Sequence, residues 1–96
     1  MQDDQHVVLG QLVTSVAGRD HGADYIVVGI DDKPPYIYVA NGCNHSVAKP
    51  KKKNIRHVRA WQLVSVEMAK KLTAGEKVTD EAVRQAIACL VRPDNL

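Results

Sequence analysis

Lys49-Pro50-Lys51-Lys52-Lys53-Asn54 is the densest positive charge in this 96-residue chain, and with Arg56 and Arg59 it places six cations among residues 49–59. Lysine is a mobile point charge and arginine a planar fork that holds phosphate bidentately, so such a run suits a polyanion, whose counterions are released as phosphates are neutralised. No acidic residue lies between Lys33 and Val66 to offset it. The plainer alternative is a solvated surface loop, and Pro50 stiffens the segment either way. Upstream, the turn from Ala17 to Asp24 holds Gly18, Arg19, Asp20 and Gly22. Its glycines can take positive φ and let a ligand approach the backbone. Arg19 can reach a phosphate or a base edge, and Asp20 can hydrogen-bond nearby backbone. The plainer alternative has Arg19 and Asp20 pairing across the turn, and both hold if Asp20 orients Arg19.

Other chemistry finds less support. His6, His21, His45 and His57 are scattered, and Cys43-x-His45 supplies only two ligands, so no metal site is predicted. His57, beside Arg56, reads as part of the basic face. Cys43 and Cys89 have no metal-type spacing and are expected to stay thiols. There is no nucleophile elbow, phosphate loop or HExxH element, so neither catalysis nor a cofactor or small-molecule substrate is expected. Tyr25, Tyr36, Tyr38 and Trp61 can stack on unpaired bases, but packing is the commoner fate of tyrosine in strands. Tyr36 and Tyr38 share a face and are expected to be packed.

Composition is that of one globular domain, 45% apolar and 25% charged, with no Phe, so Val, Ile, Leu and Ala must build the core. The net charge of +2 conceals an asymmetry: residues 1–32 hold six acids and one base, residues 33–66 seven bases and no acid. Local clustering of this kind sets the field near a surface. No run is long and apolar enough for a bilayer, and the polar, acidic start Met1-Gln2-Asp3-Asp4-Gln5-His6 lacks the pattern of a secretory signal. The expectation is a cytoplasmic protein without a membrane partner.

The elements that must position these residues follow from periodicity. Residues 1–6 are expected to be a disordered tail. Gly10 to Val16 alternates as a strand, with Leu12 and Thr14 on one face and Val13 and Ser15 on the other. Tyr25 to Ile30 is a second strand, ended by Asp31-Asp32-Lys33-Pro34-Pro35, and Tyr36 to Ala40 is a third. Asn41-Gly42 signals a hairpin turn. A fourth strand is expected over Ser46 to Lys49, and a fifth within Ile55 to Trp61. Ser65 caps a helix over Val66 to Leu72, ended by Gly75. Thr79 caps a second, with Asp80 and Glu81 in its first turn and Val78 as a staple; it runs to about Val91 and Pro93 closes it. Its stripe of Val83, Ile87, Leu90 and Val91 packs on the strands or, alternatively, binds a partner. The result is a mainly β fold, a compact five-stranded barrel over 7–63 with two short helices over 64–96.

Gly10-Gln11-Leu12-Val13-Thr14-Ser15-Val16-Ala17-Gly18-Arg19-Asp20-His21-Gly22, followed by Tyr25-Ile26-Val27-Val28, resembles a KOW motif. The chain looks most like bacterial KOW-domain RNA-binding proteins akin to the archaeal and eukaryotic large-subunit ribosomal proteins of the fourteen-e, six-e and twenty-seven-e groups. Lys49 to Asn54 with His57 matches their basic loop, and the resemblance spans residues 9–58. It departs at Cys43-Asn44-His45, where a basic residue is expected in many relatives. The resemblance implies an SH3-like barrel and RNA binding, ribosomal RNA above all, with ribosomal proteins as further partners. On this reading Arg19, Lys49, Lys51, Lys52, Lys53, Asn54, Arg56 and His57 contact RNA, and Gly18, Asp20 and Gly22 shape the turn. The alternative is a protein–protein adaptor barrel, because such barrels serve both ends.

Overall fold

The structure is a computed structural model and describes residues 6–33 and 35–92. The expected tail, apart from His6, and the closing role of Pro93 lie outside the described residues. Five antiparallel strands form one sheet: β1 (Gln11–Ser15), β2 (Asp24–Ile30), β3 (Tyr36–Ala40), β4 (Lys51–Asn54) and β5 (Val58–Val64). The order is β4-β3-β2-β1-β5, a meander of β1 to β4 with β5 returning beside β1. A 3-10 turn, Ile55–His57, joins the two edge strands. Helices α1 (Val66–Thr73) and α2 (Asp80–Leu90) follow. The fold is therefore the expected mainly β class with a helical C-terminal part.

Alternation along the strands splits the apolar residues between two cores. Val13, Tyr25, Val27, Ile37, Val39 and Val58 pack on one face of the sheet. Leu12 and Ile26, on the other face, pack with Met68 of α1 and Val83 of α2, joined by Trp61, Leu63 and Ile87. Both helices start where expected: Ser65 accepts from the Met68 N–H at 3.3 Å and Thr79 from the Ala82 N–H at 3.1 Å. Gly75, at φ +77°, ends α1 with bonds from its own N–H to Leu72 O and from Glu76 N–H to Lys71 O, the left-handed stop that glycine adopts without strain. An irregularity in the β1–β5 register falls between Gln11 and Val13. There the buried Gln11 amide donates to Trp61 O at 2.6 Å and its oxygen accepts from Val8 N–H, so the side chain satisfies two backbone groups at the irregularity.

Two strand expectations are corrected. Residues 46–50 form a bend, and the fourth strand is the lysine run itself, Lys51 pairing Val39 and Lys53 pairing Ile37. The fifth strand begins only at Val58, because the Asn54 side chain accepts from Arg56 N–H at 2.9 Å and turns Ile55–His57 into 3-10 geometry. Tyr25 is buried, as expected of a strand tyrosine, but Tyr36 and Tyr38 are not both packed: Tyr38 is half-buried and Tyr36 is 38% exposed. Cys43 and Cys89 are not joined by a disulfide.

Candidate functional site

Strand period alone sends the three consecutive lysines of β4 to different places. Lys53 points inward and is only 7% exposed. Its ammonium lies 3.0 Å from Asp20 Oδ1, donates to Ser15 Oγ at 3.0 Å and approaches Ala17 O at 3.4 Å. Lys51 lies on the same side, half-exposed, 3.4 Å from Asp20 Oδ2. Lys52 faces the opposite way, over the Tyr36 ring at 4.6 Å and 3.8 Å from Asp31 Oδ2. The expectation of a uniformly solvent-facing cationic loop is therefore corrected: the segment is a strand, and the Lys53 ammonium is a buried partner of the glycine turn. A buried charge requires a matched opposite charge, and Asp20 supplies it.

Asp20 is the centre of this arrangement. Besides the lysines it accepts from Ser15 Oγ at 2.9 Å and from the Tyr25 hydroxyl at 2.7 Å. Burial alone would raise its carboxyl, but hydrogen bonds from Tyr25, Lys53 and Ser15 and the Lys53 charge outweigh this and hold it well below the usual carboxylate range. Burial, then the bond to Asp20, pushes the Tyr25 hydroxyl above its ordinary value. Asp20 thus does not pair with Arg19; it ties the turn to β4 and to the core. The turn itself is closed by Gly22 N–H to Ser15 O at 2.8 Å and Ala23 N–H to Asp20 O at 2.8 Å, with Gly18 and Gly22 at φ +86° and +91°.

With Asp20 turned inward, Arg19 is exposed and carries no hydrogen bond or ion pair among the described residues. It lines an open cleft of about 530 Å³ with Asp20, His21, Tyr25, Asn41, Asn44, His45 and Lys51. Asp20, Lys51 and Lys53 together carry one net positive charge and Arg19 adds a second, before either histidine is counted. The β3–β4 loop supplies the far wall. Asn41 Oδ1 accepts from the N–H groups of Cys43 and His45 at 2.9 and 3.0 Å, and Asn41 N–H donates to His45 O at 2.9 Å. Helix α2 clamps this loop: Asp80 Oδ1 accepts from Val47 N–H at 2.8 Å, and Arg84 donates to Gly42 O.

The remaining predicted residues do not line the cleft. Arg56 and His57 are exposed on the 3-10 turn, tied to the end of β1 by Val16 N–H to His57 O at 2.9 Å. Lys49 is exposed on the 46–50 bend, and Asn54 caps the 3-10 turn through its side chain. Arg59 and Trp61 share the face of β5 that looks toward the helices, the guanidinium 4.2 Å from the indole centroid, and Trp61 Nε1 donates to Thr14 Oγ1. His21, Asn44 and His45 were not among the predicted contacts. The Asn41-Gly42 turn signal, placed opposite the bend across β2–β3, was the one cue that could have found the last two. Among the described residues no group of three or more His, Cys, Asp or Glu side chains could hold a metal ion, and no helix is long and apolar enough to cross a membrane. No family model matches the chain, and no curated protein matches its sequence.

Proposed function

We propose that this chain is a non-enzymatic RNA-binding module of the KOW type, associated with ribosomal or similarly structured RNA. One observation carries the reading: Arg19, His21, His45 and Lys51 surround a single cleft whose own carboxylate is bonded inward by Lys53, Ser15 and Tyr25. Phosphates suit such a site, since the Arg19 and Lys51 cations converge there without a free acid to repel them. Arg56 and His57 extend the surface past the end of β1, and Lys49 extends it on the bend before β4. Lys53 and Asn54, both used internally, support the site's shape and do not contact RNA.

The test is the salt dependence of binding to a ribosomal RNA fragment. Log affinity falls with log salt, and Arg19→Ala and Lys51→Ala each flatten that slope by roughly 0.7–0.9, the amount expected for one lost phosphate contact. A slope that neither substitution moves removes the cleft from the interface. The adaptor reading has one observation of its own: Val64 and Val66, the latter 64% exposed, form with Ala69, Thr73 and Ala74 an apolar depression that shares no residue with the cleft. Absence of RNA affinity together with stoichiometric binding of a protein partner lost in Val66→Asp favours that alternative.

A further inference from the structure

Resting on the RNA reading above, the geometry points to an unpaired nucleotide as the occupant of the cleft, its base against His45 and its phosphates on Arg19 and Lys51. Phosphate recognition alone needs only cations on a surface. This cleft has in addition an aromatic wall and a free amide, and neither serves the outside of a duplex, where the bases are stacked inward. The His45 ring lies 5.8 Å from the Tyr25 ring at 54°. Tyr25 is fully buried and held through its hydroxyl by Asp20, so the imidazole rests on a fixed support. The His45 backbone is pinned on both sides, its N–H on Asn41 Oδ1 and its carbonyl accepting from Asn41 and Gly42 N–H at 2.9 and 3.1 Å. The ring is thus preorganised while its nitrogens carry no hydrogen bond among the described residues.

Asn44 completes the wall. Its Oδ1 accepts from Asn41 Nδ2 at 2.8 Å, which orients the amide and leaves both Nδ2 hydrogens for a ligand. Base edges carry ring nitrogens and carbonyl oxygens that match those donors and the imidazole. The same cleft is lined by Arg19 and Lys51, the groups that suit the sugar–phosphate chain. A volume of about 530 Å³ falls within the roughly 300–1,000 Å³ of sites that take small-molecule-sized ligands.

The experiment compares binding of the full chain to an unstructured RNA oligonucleotide, to the abasic oligomer of the same length, and to an RNA duplex of equal phosphate number. Wild-type protein binds the intact oligonucleotide about tenfold more tightly than the abasic one, a typical contribution of one base–aromatic stack. His45→Ala removes that difference without changing the salt slope, His45→Phe retains it, and Asn44→Ala, on an exposed residue, reduces it. Circular dichroism checks that each variant is folded. Equal affinity of the intact, abasic and duplex probes, with Arg19→Ala weakening all three, overturns the nucleotide site while leaving phosphate binding standing. Failure to bind any of them overturns the RNA reading and this inference with it.

Discussion

Asp20 Oδ1 accepts from Ser15 and Lys53, and its Oδ2 accepts from Tyr25 and faces Lys51. Removing one member of such a buried set leaves an uncompensated charge, whose cost commonly exceeds the worth of the pair. Lys53→Met therefore lowers stability by about 2–3 kcal/mol in urea unfolding, less than the 3–5 of a wholly isolated pair, because Lys51 and two hydroxyls still hold the carboxylate. Adding Asp20→Asn to that variant recovers part of the loss. The pH dependence has a definite sign. A folded-state carboxyl held below its unfolded value contributes stability that is fully present above the ordinary carboxylate range and is lost as pH falls below it. Acid unfolding of the wild type is thus steeper below about pH 4 than that of Asp20→Asn. The turn glycines add a second case. Gly22 has φ +91° and open space around the position of an added Cβ, so Gly22→Val costs only backbone strain, about 1–2 kcal/mol. Gly42→Ala costs more: its φ is +76°, and the new Cβ would meet Asp80 O and lie 2.8 Å from Arg84 Cγ.

At the scale of elements, α2 is what holds the cleft's far wall. Asp80 and Arg84, one turn apart on the helix, bond the two ends of the 42–47 segment. Asp80→Ala with Arg84→Ala frees that segment, so the amides of residues 43–47 lose protection in hydrogen exchange and RNA affinity falls while the salt slope stays as in the wild type. An altered slope instead places Arg84 itself on the RNA. The same coupling explains how far the residues alone could be read. Strands β1 and β3 announce themselves by alternation, β2 by its β-branched and aromatic run, and both helices by Ser65 and Thr79 at their caps. β4 does not, because its inward position is filled by a lysine, so Lys51-Lys52-Lys53-Asn54 shows charge where a strand ordinarily shows an apolar period. The polar turn and the basic segment were legible as neighbours in function, but the inward turn of Asp20 was not, since its partners Tyr25 and Lys53 meet only once β1, β2, β3 and β4 are paired. His45 stands twenty residues beyond Tyr25 and reaches it only across the β2–β3 ladder.

The whole molecule has two cores but a single sheet. Val13 and Tyr25 lie in one core and Leu12 and Ile26 in the other, adjacent residues on the same two strands. Neither core can come apart without exposing one face of β1 and β2, so the strands over 7–63 and the helices over 64–96 are expected to unfold together. Without α1 and α2, Leu12 and Ile26, now 2% and 0% exposed, would face water along with much of Trp61 and Leu63. At roughly 25 cal/mol per Å² of apolar surface, the loss is of the same order as the few kcal/mol of net stability a domain this small has to begin with. A chain ending at residue 63 therefore shows no cooperative thermal transition. In the full chain, Trp61 is the sole tryptophan and sits in the helix-side core, whereas far-ultraviolet circular dichroism reports chiefly the sheet and helices together. One cooperative unit requires the two signals to trace the same unfolding curve in denaturant, with a common midpoint and slope. A tryptophan transition that precedes the circular-dichroism transition would show that the helices leave first and that the strands stand alone, in which case α2 positions the 42–47 loop without being needed for the fold.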